Sequence, residues 1–555
     1  MRSVLLLSVV VTAAIISAVG QAAASQADQS KQNLCTVAGR VVTAAEGTPL
    51  KSVQVMLTAE NPGRERRTYG ATSDASGVFV LKNVPPGRYR LFAERTGYVS
   101  QQYHSADTQS GAVLGLQPRQ QVSDILFRLV LAAVVTGRVT DDDEEPMAGI
   151  RVMALRRPTE DEREDEETFG SRKADQLVPA GSALTDDRGQ YRIFGLKAGD
   201  YYLQATESLQ PPQDFPAGQD YFLREALGAE FAPVYYPGVL QRGQAETIAL
   251  RPGDEAQVDF SMRHVKTVEI SGRVLTPGGK PANAMVELQD AGVEDYFEGH
   301  NTNTDAEGKF QLKGVPPGSY VLMAYQQSSD SAYYPAARQE LTVGSDNIES
   351  ITIALSRGTD FTGKVTMQGL ARPYYLNVSL RVIGEKDWSY YGDQVKPDGS
   401  FELKGVPEGN YAVMVSGEDE NHWYVKSARL GTDDVLEHGL TVEKGASGTL
   451  EIVISAARGQ LEGTVMQDDK PAVGARVRVV PDPETPYNRM RRRDTTTDQN
   501  GQFVLPGIAP GKFRVTARSP ADPTGEEAKT DPQLVTLSEN EHKTVQLKLV
   551  AAQNQ

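Results

Sequence analysis

Length, composition and charge narrow the class of this protein before any motif is considered. The chain has 555 residues, of which 39% are hydrophobic, with 51 glycines and 31 prolines. This length predicts several domains, and so many turn-forming residues predict short elements. A net charge of −16 repels polyanions, which argues against nucleic acid and anionic membrane surfaces as partners. The single cysteine, Cys35, excludes an intramolecular disulfide, so stability must come from packed cores.

The first 24 residues have the order of a secretory signal peptide. Arg2 is followed by an apolar run over residues 4–19 and then by small residues that end at Ala24. We therefore expect cleavage after residue 24 and export to the periplasm, the cell surface or the medium. An uncleaved anchor is the alternative, although no cluster of Lys or Arg flanks the run. After cleavage we expect no membrane span.

A short turn motif recurs five times along the chain, at residues 74–77, 186–189, 305–308, 396–399 and 498–501. Each copy begins with Asp or Lys and ends in glycine, and an aromatic residue follows two positions later. A second glycine always stands ten residues after the first, and another aromatic lies two residues beyond it, at Tyr89, Tyr201, Tyr320, Tyr411 and Phe513. This spacing predicts two short strands joined by tight turns, in which the Asp side chain bonds backbone amides and glycine takes a positive φ.

Further strands flank each turn motif. An apolar strand that opens with Gly-x-Val lies upstream, at Gly39, Gly137, Gly272, Gly363 and Gly463. A closing apolar strand lies downstream, so each copy offers about six or seven strands in roughly 100 residues, as antiparallel sandwiches do. We predict an all-β chain of five tandem β-sandwiches, over residues 25–132, 133–265 (with two insertions), 266–357, 358–456 and 457–551. Because the connections are short, we expect an elongated array.

The repeated motifs resemble a known family. The order Gly-x-Val, Asp-x-x-Gly-x-Phe and Pro-Pro-Gly-x-Tyr is complete in the first copy, which ends on Pro85, Pro86, Gly87 and Tyr89. This order is similar to the carboxypeptidase regulatory-like domain, a transthyretin-like sandwich that is grouped with carbohydrate-binding-like folds and occurs in exported bacterial proteins. The resemblance covers nearly all of the chain after residue 24 and implies the fold, but says little about function. The fourth copy departs from the pattern in its turn at residues 397–399, and the fifth at residues 509–511.

The sequence contains no motif typical of an enzyme. None of the six histidines belongs to a His-Glu-x-x-His motif or is followed by Glu three residues later. We therefore predict a non-catalytic protein without a cofactor, and keep an accessory protein with an unrecognised enzymatic site as an alternative. Most of the Asp-x-x-Gly turns offer one carboxylate, which favours hydrogen-bonded turns over calcium sites. Asp186 and Asp187 are the best calcium candidates.

Aromatic residues in loops are the best functional candidates, because sugar rings present apolar faces that stack on aromatic rings. They are Tyr235, Tyr236, Tyr333, Tyr334, Trp388, Trp423 and Tyr424. Because such rings recur in several copies, the structural alternative, in which they pack on sandwich edges or on the next sandwich, is favoured for them. As binding residues they indicate an exported scaffold that binds polysaccharide. A cell-envelope adhesion or protein-interaction protein is the first alternative function.

Two runs of charge complete the pattern. Residues 160–167 are strongly acidic, and residues 489–493 read Arg-Met-Arg-Arg-Arg. Runs of like charge repel one another, so both are predicted to form solvated loops. A polyanion site at residues 489–493 is the alternative.

Overall fold

The computed structural model confirms an all-β chain of tandem sandwiches, in which most strand pairs are antiparallel and the opening and closing strands of each sandwich pair in parallel. It describes residues 33–550 apart from 61–67, 106–110, 160–161, 164–176, 208–230, 241, 265, 291–299, 328–332, 356–357, 370–374, 384–390, 419–421 and 521–527. The predicted signal peptide lies outside the described residues. Within them, no helix has the length and apolar character needed to cross a membrane.

The first sandwich is built from two sheets that enclose one core. Its strands are β1 (Cys35–Thr43), β2 (Gln54–Ala59), β3 (Thr68–Thr72), β4 (Val78–Val84), β5 (Gly87–Glu94), β6 (Gln101–Gln102), β7 (Val113–Leu116) and β8 (Gln121–Leu129). One sheet has the order β4-β1-β8, and the other has the order β3-β2-β5-β6, with β7 also paired to β5. The buried side chains of this core lie between residues 35 and 129.

The second sandwich repeats this plan. Its strands are β9 (Ala133–Thr140), β10 (Ile150–Arg156), β11 (Val178–Leu184), β12 (Gln190–Leu196), β13 (Gly199–Glu207), β14 (Val234–Tyr235), β15 (Ile248–Leu250), β16 (Glu255–Gln257) and β17 (Phe260–Ser261), with a 3-10 turn at Arg242–Gln244. The sheets are β12-β9-β16, with β17 on β9, and β11-β10-β13-β14, with β15 on β13. They enclose a core of their own.

The third sandwich has the simplest form of the plan. Its strands are β18 (Val268–Leu275), β19 (Ala284–Asp290), β20 (His300–Asn303), β21 (Lys309–Val315), β22 (Gly318–Gln327), β23 (Tyr333–Val343) and β24 (Ile348–Ala354). The sheets are β21-β18-β24 and β20-β19-β22-β23. They also enclose a separate core.

The fourth sandwich enlarges one sheet. Its elements are β25 (Thr359–Gln368), β26 (Leu376–Val382), β27 (Tyr391–Gln394), β28 (Ser400–Val406), β29 (Gly409–Gly417), β30 (Tyr424–Leu430), β31 (Asp433–Asp434), α1 (Val435–His438), β32 (Leu440–Val442) and β33 (Thr449–Ser455). The sheets are β28-β25-β33-β30-β31 and β27-β26-β29-β32. The strand β30 thus extends the first sheet beyond β33.

The fifth sandwich returns to the common plan. Its elements are β34 (Gly459–Gln467), β35 (Lys470–Pro471), β36 (Arg476–Pro481), a 3-10 turn at Arg489–Arg491, β37 (Arg493–Thr496), β38 (Gln502–Ile508), β39 (Gly511–Arg518), β40 (Gln533–Leu537) and β41 (His542–Leu549). The sheets are β35-β34-β38, with β41 on β34, and β37-β36-β39-β40.

The first position of the Gly-x-Val motif requires glycine for steric reasons. In each sandwich the opening strand lies between the strand that follows the turn motif and the closing strand, which runs parallel to it. A Cβ atom on Gly137 or Gly463 would lie under 3.0 Å from the carbonyl oxygen of the parallel strand, at Val258 and Val545 respectively. The site has room for a hydrogen atom only.

The turn motif forms as predicted. The Asp74 carboxylate accepts hydrogen bonds from the backbone amides of Ser76 at 2.8 Å and Val78 at 2.9 Å. Equivalent bonds form at Asp186, Asp305 and Asp498, and Gly77 takes a φ of 77°. Because these carboxylates are engaged by backbone amides, the geometry is that of a hydrogen-bonded turn.

The aromatic residue after the second glycine closes the next turn. The hydroxyl of Tyr89 donates to the Pro85 carbonyl at 2.9 Å, four residues upstream. Tyr201, Tyr320 and Tyr411 make the same bond. The ring packs in the core while its hydroxyl satisfies a turn carbonyl, which explains why Tyr recurs there.

The first and fifth sandwiches lie against each other. The Gln499 side-chain amide accepts from the Gly115 N–H at 3.0 Å and donates to the Gly115 carbonyl at 2.7 Å. The Thr496 hydroxyl donates to the Gly111 carbonyl at 2.8 Å, and Val473 packs against the core of the first sandwich. The row therefore closes on itself instead of extending as an elongated array. Short connections limit the angle between neighbours, but they contain no information on whether the two ends meet.

Candidate functional site

Three of the predicted aromatic residues are buried. Trp423 is 4% exposed, and its indole N–H donates to the Glu418 carbonyl at 3.0 Å. The Tyr424 hydroxyl donates to the Glu539 carboxylate of the fifth sandwich at 3.2 Å. Tyr235, also buried, accepts a hydrogen bond from the Gln204 amide at 3.1 Å. Rings in these positions pack against protein, which favours the structural alternative for them.

The other predicted aromatic residues do not gather at one place either. Tyr236 is partly buried against the core of the second sandwich. Tyr333 and Tyr334 belong to β23, where their backbones pair with Gln327 and Gln326. Trp388 lies outside the described residues. The predicted aromatic residues that the structure describes are therefore spread over the second, third and fourth sandwiches.

A groove between the first and second sandwiches is a better candidate. The connection between them pairs with a loop of the first sandwich, since the Val99 N–H donates to the Val130 carbonyl at 2.9 Å and the Ala132 N–H to the Gly97 carbonyl at 3.0 Å. This pairing holds residues 94–100 opposite the second sandwich across a cavity of about 410 Å³. We call it the interdomain groove.

Phe194 gives the interdomain groove an exposed aromatic ring. It lies in β12, where Tyr191 and Ile193 face the core and Phe194 points outward with 65% of its surface exposed. Tyr98 lines the same groove from the first sandwich, with the Arg95 guanidinium 5.3 Å from its ring centroid. Besides the buried Tyr201, the groove thus presents two aromatic rings, and one of them makes a cation–π contact.

Sequence reasoning missed Phe194, although a signal existed. Counted from the aromatic of the turn motif, the equivalent residues of the other sandwiches are Lys82, Lys313, Lys404 and Pro506. Phe194 stands at an outward strand position where most of the other sandwiches have lysine, so its ring does not contribute to the core. Because Phe194 stands within a strand, a search confined to loops could not find it.

Arg156 lines the interdomain groove and forms an ion pair with Glu162, which belongs to the predicted acidic loop. Its guanidinium contacts both carboxylate oxygens of Glu162, at 2.6 and 2.7 Å, and the Thr159 N–H donates to the same carboxylate at 2.8 Å. These hydrogen bonds, chiefly those from Arg156, lower the pKa of Glu162 to about 2 against the opposing effect of burial. Glu162 therefore belongs to an ion pair, where a solvated loop was predicted; the rest of the acidic run, residues 160–161 and 164–167, lies outside the described residues.

Acid should weaken the second sandwich through this pair. The folded pKa of Glu162 lies below its ordinary value of 4.5, so the carboxylate adds stability above pH 4.5 that is lost as the pH falls toward about 2. The loss is about 1 to 2 kcal/mol, because part of the pair is exposed to solvent. An NMR titration of the Glu162 carboxyl carbon measures this pKa, and Arg156→Met should return the pKa toward 4.5. A Glu162 that titrates normally in the unchanged protein would contradict the pair.

The lining of the interdomain groove indicates binding chemistry. Its polar groups include Glu94, Arg95, Ser100 and Lys197, which can donate and accept hydrogen bonds beside the two rings. Among the described residues, no group of three or more His, Cys, Asp or Glu side chains comes together as a metal site would require. The rings of the groove can stack on the apolar face of a ligand while its polar groups form hydrogen bonds with the substituents of that ligand.

A family model matches most of the sandwiches. The model, described as the carboxypeptidase regulatory-like domain, matches residues 36–119, 134–263, 269–356 and 460–550. These ranges correspond to the first, second, third and fifth sandwiches. The fourth sandwich, with its altered turn and its additional strand β30 beside β33, falls between the matched ranges.

Individual proteins resemble the chain more weakly. A stretch of 237 residues, 40% of the chain, is 23% identical to the serine-aspartate repeat-containing protein F of Staphylococcus epidermidis and spans 11% of that protein. A streptococcal ancillary pilin structure is 12% identical, with 58% of this chain and 99% of that one covered and a TM-score of 0.20. For a minor pilin of Streptococcus agalactiae the identity is 16%, the coverage 41% and 96%, and the TM-score 0.21. Scores this low do not define a shared arrangement of domains.

Proposed function

Since the chain belongs to the carboxypeptidase regulatory-like domain family, we propose that it is an exported, non-catalytic repeat protein of the cell surface that binds carbohydrate in the interdomain groove. The observation that carries the proposal is the 65% exposure of Phe194 beside Tyr98 in a concave site. Concave sites that combine aromatic rings with a few polar groups are typical of small-molecule binding. Export rests on the signal-peptide pattern of residues 1–24.

Carbohydrate fits the chemistry of the interdomain groove. One face of a pyranose ring is apolar and stacks on Phe194 or Tyr98, while its hydroxyls meet donors and acceptors such as Arg95 and Ser100. Glycoside hydrolysis uses a pair of carboxylic acids that flank the bond. The described lining of the groove includes one carboxylate, Glu94, which supports binding without turnover.

Phe194→Ala tests the site directly. Affinity electrophoresis of the full chain in soluble polysaccharides, after a glycan array has selected the polymer, should show retardation that the variant weakens about three- to tenfold through the loss of one stacking contact. The matched control is Leu534→Ala, since Leu534 is a similarly exposed apolar residue, at 68%, on the fifth sandwich. An absence of retardation with every polysaccharide, or an equal loss in both variants, would contradict the proposal.

A protein partner in the cell envelope is the second candidate function. Its support is the outer face of the sheet β4-β1-β8, where Val80 is 41% exposed and Leu126 is 45% exposed. The two side chains lie on the strands that flank β1, and exposed apolar side chains on one sheet face are typical of interaction surfaces. Crosslinks from this face to one envelope protein, together with no polysaccharide binding, would favour this candidate.

A further inference from the structure

We infer that the third sandwich pairs with a second copy of this chain through the open edge of one of its sheets. The edge is the outer side of β24, the last strand of the sheet β21-β18-β24. A strand at the end of a sheet has backbone N–H and C=O groups that can pair with a strand of another molecule. The groups that form this pair belong to Thr352 and Ala354, and both residues are exposed.

Alternation along β24 directs the backbone of these two residues toward the open side. The Leu355 N–H donates to the Leu275 carbonyl of β18 at 2.9 Å, so Leu355 faces β18. Successive residues of a strand direct their N–H and C=O groups to opposite sides, so those of Thr352 and Ala354 point away from β18. Among the residues that the structure describes, the ladder partner of β24 is β18 alone.

The fourth sandwich shows that the fold accepts a further strand at this place. There β30 pairs antiparallel with the closing strand β33, with Ala428 opposite Ile452. In the third sandwich the segment that follows β22 is β23, which pairs back along β22 instead of crossing to the closing strand. Within the described part of this sandwich, no strand lies beside β24 as β30 lies beside β33.

The edge of the third sandwich also differs from the others in charge. At the positions of Thr352 and Ala354, counted from the Gly-x-Val glycine that pairs with the closing strand, the other sandwiches have Leu126 and Arg128, Asp259 and Ser261, Glu451 and Val453, and Gln546 and Lys548. Each of these pairs includes one charged residue. Charges on edge strands are one way in which natural sheets avoid pairing with other molecules, and β24 has none at these two positions.

A second copy supplies a strand that matches this edge. Ser350 has a φ of 65°, which interrupts the extended strand and confines the pairing to residues 351–355. An antiparallel pair centred on Ile353 places Thr352 of each copy opposite Ala354 of the other, and each of these two pairs exchanges two backbone hydrogen bonds. No like charges oppose each other in this arrangement. Because the two edges are identical, a two-fold axis relates them and the assembly stops at a dimer.

Sedimentation velocity of the full chain tests the inference. At about 0.15 M ionic strength, where charges are screened over about 8 Å, we expect the mean mass to rise toward twice that of one chain between about 5 and 500 μM. Thr352→Pro removes an N–H that bonds to the second copy, and should weaken the dimer about tenfold or more. The sandwich itself should tolerate this change, because proline is accepted on edge strands whose N–H faces solvent.

Thr544→Pro is the matched control, since Thr544 is an exposed residue of the closing strand of the fifth sandwich. It should leave the dimer unchanged, and thermal unfolding shows whether each variant is folded. Phe194→Ala should dimerise normally, which keeps this edge distinct from the interdomain groove.

Two kinds of result would overturn the inference. The first is a chain that stays monomeric over the whole concentration range, or a dimer that both proline variants weaken equally. The second is a monomeric chain that binds a peptide with the sequence of β30, residues 424–430, because the edge would then accept a foreign strand and not a second copy.

Discussion

Gly463→Ala should unfold the fifth sandwich while the other sandwiches stay folded. The added Cβ would lie under 3.0 Å from the Val545 carbonyl oxygen and from the ring of Phe503, so β34 would separate from β41 or from β38. Neither neighbour can yield easily, because the first is backbone in a sheet and the second is 1% exposed in the core. We expect a loss of about 3 to 5 kcal/mol, more than the roughly 1 to 3 kcal/mol typical of an overpacked site, because neither contact can relax.

Hydrogen exchange followed by mass spectrometry measures this effect sandwich by sandwich. Amides of β34 and β38 should lose protection in Gly463→Ala, whereas those of β18 and β21 in the third sandwich should keep it. Gly459→Ala is the matched control, since Gly459 begins the same strand and its added Cβ would be 3.4 Å from its nearest neighbour, an ordinary contact. Equal protection in the two variants would show that the glycine is not required for steric reasons.

The repeated local pattern made the fold predictable from the sequence. The interval of ten residues between the two glycines determines the length of the strand between them, and strand length with alternating burial largely defines a sandwich. The Asp turns follow from the same kind of local chemistry, because Asp74 bonds amides only two and four residues away. Interactions this short in sequence can be inferred from one copy and checked in others, here at Asp186, Asp305 and Asp498.

The candidate site could not be predicted in the same way. Trp423 and Tyr424 were predicted to lie in a loop, yet Trp423 belongs to the core of the fourth sandwich and the Tyr424 hydroxyl bonds to Glu539 of the fifth, far away in sequence. Phe194 was overlooked because its exposure depends on what the neighbouring sandwich leaves uncovered. The contact of Gln499 with Gly115 joins residues 384 positions apart, and no local pattern records such a pairing.

Breaking the contact between the first and fifth sandwiches should open the closed row. Gln499 makes two hydrogen bonds to Gly115, each worth about 1 kcal/mol, so Gln499→Ala alone should open a fraction of the molecules. Gly115→Glu should act more strongly. A Cβ at Gly115 would be 3.2 Å from Asp498 Oδ2, so the new carboxylate would face an existing one.

Small-angle X-ray scattering of the full chain measures the opening. The maximum dimension of Gly115→Glu should rise by about 25 Å or more, the length of an eight-residue strand at about 3.3 Å per residue. Asp187→Ala is the control for Gln499→Ala. Asp187 occupies in the second sandwich the turn position that Gln499 occupies in the fifth, and it is exposed. Identical scattering from Gly115→Glu and the unchanged chain would mean that this contact does not hold the row closed. If the row opens, Phe194→Ala still reports on the interdomain groove, since the described lining of that groove does not include Gln499.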